Sequence, residues 1–90
     1  MIINNELEAF IKQVKKEALE KDVPIMEDDT INYIKKYISE NKVKRILEIG
    51  TAVGYSGLNY LSVDEDITLV TIERDENRYL KALQNFKESG

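Results

Sequence analysis

The 90-residue sequence has no His, no Cys and no Trp, and only one Pro and four Gly. Without His or Cys it cannot build a Ser-His-Asp or Cys-His catalytic unit, a thiol redox pair or a Cys/His zinc site. No apolar run approaches the roughly 20 residues that cross a bilayer. The N-terminus reaches Glu6 without the basic-then-apolar pattern of a secretion signal, so a cytoplasmic location with no membrane contact is expected. No segment is of low complexity.

What is present suits a small folded unit. Hydrophobic residues make up 42% and charged residues 33%, enough apolar material for one core. Seventeen acids against 13 bases give a net charge of −4, which argues against a surface that is basic throughout and built to grip a phosphate backbone.

Hydrophobic periodicity divides the chain in two. From Asn5 to Asp22, Leu7, Phe10, Ile11, Val14 and Ala18 recur at helical spacing, with Lys12, Lys15, Lys16 and Glu17 on the other face. Val23-Pro24-Ile25 interrupts the helix, because proline lacks an amide hydrogen and disfavours helical geometry before it. Asp28 and Asp29 are positioned to cap a second helix, with Ile31, Ile34 and Ile38 on one side, Tyr33 and Tyr37 packing beside them, and an end near Asn41. The period then changes. Arg45-Ile46-Leu47-Glu48-Ile49 is a short strand stopped by Gly50, and the β-branched run Ile67 to Ile72 is a second. Tyr55 to Leu61 is a short helix between them, and Asp75 opens a last helix bearing Tyr79, Leu80, Leu83 and Phe86, with Gly90 as its C-cap. The order predicts an α/β fold with two N-terminal helices followed by βαβα and a parallel strand pair. We therefore divide the chain into a helical segment, 1–42, and a βαβα unit, 43–90. Two strands are few for a parallel sheet, which is normally covered on both faces. A second copy of the chain or further polypeptide would have to complete it.

The chemistry concentrates in Glu48-Ile49-Gly50-Thr51-Ala52-Val53-Gly54-Tyr55-Ser56-Gly57. A strand that ends in glycine and turns through small residues into a helix exposes backbone where a nucleotide can approach closely. Glu73 follows Gly50 by 23 positions at the end of the second strand, where an acid accepts hydrogen bonds from ribose hydroxyls. The glycines run G-x-x-x-G-x-x-G, whereas the dinucleotide fingerprint is G-x-G-x-x-G, and Ala52 occupies the position of the glycine that admits a pyrophosphate. A dinucleotide oxidoreductase is disfavoured on that ground. S-adenosylmethionine has no phosphate and carries a sulfonium, a charge that Glu48 suits. Taken singly, each of these features is common, and Glu48 alone reads as an acid facing solvent at a sheet edge.

Lys44 to Ser56, followed by Thr71-Ile72-Glu73-Arg74-Asp75-Glu76 and preceded by Val23-Pro24-Ile25-Met26, resembles the S-adenosylmethionine-dependent O-methyltransferases of the catechol and caffeoyl-CoA type. Within that family the likeness is greatest to small bacterial members, including those that methylate 5-hydroxyuridine in tRNA. The resemblance implies a Rossmann-like methyltransferase fold of which this chain carries the N-terminal half, and transfer of a methyl group to a hydroxyl oxygen. It implies that Glu48 and Gly50 border the methionine part of the cofactor, and that Ala52, Gly54, Tyr55 and Ser56 form the turn around it. Glu73 would hold the ribose hydroxyls and Met26 would cover the cofactor, although Met26 also reads as a gap-filling core residue. The family's catalytic base and its acids for a divalent metal such as magnesium lie beyond the part that matches, so no catalytic or metal-binding residue is assigned here and the chain alone is expected to be inactive. The acceptor would be tRNA or a small hydroxylated aromatic. A non-catalytic, self-associating α/β module is the alternative, and a homo-oligomer is expected under either reading.

Lys12, Lys15, Lys16, Lys35, Lys36, Lys42, Lys44 and Arg45 suggest a basic face, but Glu17, Glu20 and Glu40 interleave with them and a solvated surface laced with i,i+4 pairs fits better. Asp64-Glu65-Asp66 reads as a solvated turn, because adjacent acids in a loop seldom converge on one metal ion.

Overall fold

The computed structural model describes residues 5–89. Four helices and two strands follow in the order α1 (Asn5–Glu20), α2 (Asp28–Glu40), β1 (Arg45–Ile49), α3 (Tyr55–Leu61), β2 (Thr68–Ile72) and α4 (Glu76–Ser89). The strands pair in parallel, with Arg45 opposite Thr68 and Ile49 opposite Ile72, as the βαβα order predicts. Gly90, the expected C-cap of α4, lies outside the described residues.

Helices α1 and α2 stop without glycine. Asp22 (φ 55°) and Lys42 (φ 52°) adopt the left-handed conformation just past each helix. Val23 then donates its amide to the Ala18 carbonyl and Val43 to that of Ile38, each spanning five residues. Both ends are therefore Schellman motifs, and their closing valines drop into the core. Sequence reading finds such ends through glycine, so it places that of α1 late. At the start of α2, Glu27 is the N-cap and Asp28 and Asp29 lie inside the first turn, correcting the expectation that they cap it. A second correction concerns Tyr33 and Tyr37, which are 73% and 56% exposed. At 100° per residue, Ile31, Ile34 and Ile38 already fill the inward stripe, and positions 33 and 37 fall roughly 130° and 90° from its centre.

Two apolar clusters hold the elements together. Ile11, Val14, Ala18, Ile31, Val53, Tyr55 and Leu58 join α1, α2 and α3, while Ile38, Tyr60 and Ile67 join α2 and α3 to the approach of β2. Ile67 is spent in that cluster, so β2 begins at Thr68, one residue later than its β-branched run suggests. On α4 the buried positions are Ala82 and Asn85 with Phe86 partly covered, whereas Tyr79, Leu80 and Leu83 face outward.

Burial alternates along both strands, as period-two geometry requires. Ile46, Glu48, Leu69 and Thr71 turn towards α3, and the other face carries Leu47, Ile49, Val70 and Ile72, 66%, 73%, 57% and 53% exposed. One side of the sheet is covered and the other is bare. Among the described residues, no helix is long and apolar enough to cross a membrane.

The covered side is tightly built around Gly57. A Cβ there would stand 2.8 Å from Leu69 Cδ2 and 3.0 Å from Phe86 Cζ. Gly57→Ala is therefore expected to destabilise the chain by about 1–2 kcal/mol, despite alanine's better helix propensity. Urea denaturation of the two proteins measures this, and an unchanged or higher midpoint would show that Leu69 and Phe86 yield freely.

Candidate functional site

Strand β1 delivers its end into a left-handed turn. Gly50 (φ 95°), Ala52 (φ 50°) and Gly54 (φ 93°) all have positive φ, and only at Ala52 does a side chain bear the strain. The turn is fixed by groups outside it. Gly50 and Thr51 both donate their amides to the Ile72 carbonyl, at 2.7 and 3.1 Å, so the end of β2 holds the chain beyond the end of β1. The Ala52 amide donates to Glu73 Oε1 at 2.7 Å, and Asp75 donates to the other oxygen at 2.9 Å. These amides, that of Asp75 first, hold the Glu73 carboxyl below the usual range.

Glu48 does not face solvent. Its half-buried carboxylate accepts hydrogen bonds from Ser56 Oγ and from Thr71 Oγ1 (2.9 Å), and the Thr71 hydroxyl also meets that of Thr51. One acid thus ties β1 to β2 and to the first turn of α3.

The three glycines differ in what they face. A Cβ on Gly50 would meet nothing within 4 Å, but at Gly54 it would come within 3.3 Å of the Phe86 ring. Only Gly50 faces open space. Gly54 and Gly57 admit α4, so the expectation that glycines clear an approach for a ligand holds at one position of the three.

In front of Gly50 lies a cavity of about 530 Å³ between α2 and the β1 edge. Met26, Glu48, Gly50, Ala52, Tyr55 and Ser56 all line it. Gly54 and Glu73 do not; Gly54 packs against the Phe86 ring, and Glu73 holds the amide of the cavity-lining Ala52. The remaining wall is mostly apolar, with Ile34, Ile38 and Ile46, and no Lys or Arg reaches it. The volume suits a cofactor-sized ligand. A wall whose one charge is an acid fits a ligand without phosphate, and a cationic centre better than an anionic one.

Sequence reading missed Asp28, Tyr60 and Thr71. Tyr60 donates its hydroxyl to the Met26 sulfur at 3.4 Å, holding Met26 against the cavity while leaving it 36% exposed. Thr71 was detectable as a polar residue at an inward position of β2. Asp28 accepts from Tyr55 Oη at 2.8 Å and pairs with Lys15 Nζ at 2.6 Å, latching α1, α2 and α3 together. Lys15 first and Tyr55 second hold Asp28 below the usual carboxylate range. The i,i+4 pairing expected of the basic helices is represented by Lys36 and Glu40 at 4.0 Å, while Lys15 and Lys44 pair across the fold with Asp28 and Asp64. Among the described residues, no group of three or more acids is placed to hold a metal ion.

Parallel strands feeding a glycine turn, an acid at the end of each strand and a cavity in front define a Rossmann-like cofactor-binding unit. The family model described as O-methyltransferase matches residues 2–90, and the chain belongs to that family. A Staphylococcus aureus protein assigned as a caffeoyl-CoA O-methyltransferase is 42% identical, with a TM-score of 0.84 over 87% of this chain and 37% of its own. An O-methyltransferase assigned from Klebsiella pneumoniae is 25% identical, with a TM-score of 0.76 over 90% of this chain and 38% of its own. The Streptomyces achromogenes O-methyltransferase TomG, involved in tomaymycin synthesis and solved with SAM, is also 25% identical, with a TM-score of 0.76 over all of this chain and 40% of its own. The chain therefore spans about two-fifths of the length of these structures, less than the half expected from the sequence.

Burial first, and then the bond to Asp28, push the Tyr55 hydroxyl from 10.0 up to about 12. The folded chain holds this proton more tightly than the unfolded chain, so the stability that depends on the protonated hydroxyl is full below pH 10 and is lost as pH rises towards 12. Ultraviolet titration of the five tyrosines should show one phenolate forming near pH 12, and Asp28→Asn should bring it down. A Tyr55 that ionised at its ordinary value in the folded chain would contradict the latch.

Proposed function

We propose that the chain is the N-terminal, cofactor-binding portion of an S-adenosylmethionine-dependent O-methyltransferase. The observation that carries this reading is the cation-free cavity in front of Gly50, with Glu48 as its one charged group and Glu73 bonded to the amide of Ala52 on its wall. When bound, S-adenosylmethionine supplies an electrophilic methyl on a sulfonium.

The chain's own residues bind and orient. Glu48 and Gly50 border the methionine end, where the acid complements the sulfonium and the missing Cβ leaves room. Ala52, Gly54, Tyr55 and Ser56 form the turn around the ligand, Ser56 held in place by its bond to Glu48. Glu73 accepts the ribose hydroxyls through lone pairs left over from its two backbone amides. Met26, braced by Tyr60, covers the ligand and excludes water. In this reading 1–42 forms the lid side and 43–90 the cofactor side.

Methyl transfer belongs to a longer protein, and the 90 residues alone are expected to show no turnover. The acceptor is a hydroxyl group, with 5-hydroxyuridine in tRNA the first to assay and catechol the second. Any magnesium would be held by residues other than these. The setting is cytoplasmic, and the bare sheet face makes the chain self-associate. The alternative, a non-catalytic self-associating module, rests on that face alone, and the family match does not favour it.

Isothermal titration separates the readings. The first expects saturable binding of S-adenosylhomocysteine, weakened by about tenfold or more in Glu73→Ala, as for loss of a charge-assisted pair of bonds. Glu48→Gln should weaken S-adenosylmethionine more than S-adenosylhomocysteine, because only the former carries the sulfonium charge. No heat of binding at millimolar ligand would leave the module reading standing.

A further inference from the structure

Helix α4 carries a buried polar side chain that the proposed cofactor contacts do not use. Asn85 is 2% exposed, and its neighbours on the inward stripe are Ala82 and the half-buried Phe86. Its Nδ2 donates to the carbonyl of Val53 at 2.8 Å. That carbonyl lies between Ala52 (φ 50°) and Gly54 (φ 93°), the two left-handed residues nearest α3. Flanked by these two left-handed residues, it points towards α4. A buried carbonyl in that position needs a donor from outside the turn, and Asn85 supplies one.

The neighbouring contacts explain why the donor reaches it. Gly54 lets the Phe86 ring approach, and Lys81 Nζ meets Glu17 Oε2 of α1 at 3.2 Å, so α4 is clamped on both sides of Asn85. Glu73, just past β2, accepts the Ala52 amide of the same turn. One hydrogen bond takes an amide of the turn and the other gives a donor to its carbonyl, one residue apart.

We infer that Asn85 is a positioning residue for the cofactor turn, holding the strained path through Ala52, Val53 and Gly54 in the shape a ligand in the cavity needs. This rests on the cofactor reading for its functional consequence, but the turn's geometry can be tested without ligand.

The test compares the 90-residue chain with its Asn85→Ala and Asn85→Leu variants, and with Ile67→Ala as a control. Ile67 is buried in the second cluster, away from the turn. Native-state amide exchange should be at least tenfold faster at Ala52 and Gly54 in both Asn85 variants, with a smaller change at Val14 and Ile31, which report α1 and α2. S-adenosylhomocysteine affinity should fall about tenfold in those variants and stay within twofold in Ile67→Ala, compared at equal distance below each melting temperature. Unchanged exchange at Ala52 and Gly54, or equal effects from Ile67→Ala, would overturn the assignment. If the unmodified chain binds no S-adenosylhomocysteine, the cofactor reading falls, while the exchange data still decide the role of Asn85.

Discussion

Helix α3 has no exposed residue from position 55 to 60, and it lies so close to β2 and α4 that a single methyl group at Gly57 would collide with both. That approach sets the distance between the sheet and the helices. It brings Ser56 within reach of Glu48, Leu69 under the helix and the Phe86 ring against Gly54. With α3 further out, Glu48 would lose its hydroxyl partner from α3 and become a half-buried carboxylate with less compensation. The site is therefore a product of packing as much as of its own residues.

Polar groups then convert close packing into a defined turn. Three left-handed residues fall within five positions, one of them the non-glycine Ala52, and groups from β2, from Glu73 just after it and from α4 engage three of the four peptides between them. The carbonyl of Ile72 takes two amides, Glu73 takes a third and Asn85 satisfies a carbonyl. Strain at Ala52 persists because its surroundings over-determine it.

Much of this was legible in the sequence, for identifiable reasons. A short β-prone run and the glycine stop located β1, and the change of period near position 43 separated the helices from the βαβα unit. The motif around Gly50 and the acid at position 73 placed the site at the strand ends, and five of the other six residues singled out with them line the cavity or border it within the turn. What stayed hidden depends on tertiary contact. Nothing local indicates that Gly54 and Gly57 serve α4, since glycine reads alike whether it faces a ligand or a phenylalanine. Asp28 looked like a cap because Asp-Asp before an apolar run is a capping signal, and only the fold shows Lys15 and Tyr55 claiming it. Tyr33 and Tyr37 were misjudged by counting aromatic residues near isoleucines without following the 100° step.

The bare face of the sheet has a thermodynamic consequence. Four aliphatic side chains more than half exposed on a parallel strand pair mean that the folded chain, as it stands, gains free energy from anything that covers them. Any partner that covers them binds the folded state and not the unfolded one, so by mass action its concentration would raise the apparent melting temperature. For this chain, stability is a function of its surroundings, and a value measured in dilute solution marks only the lower end.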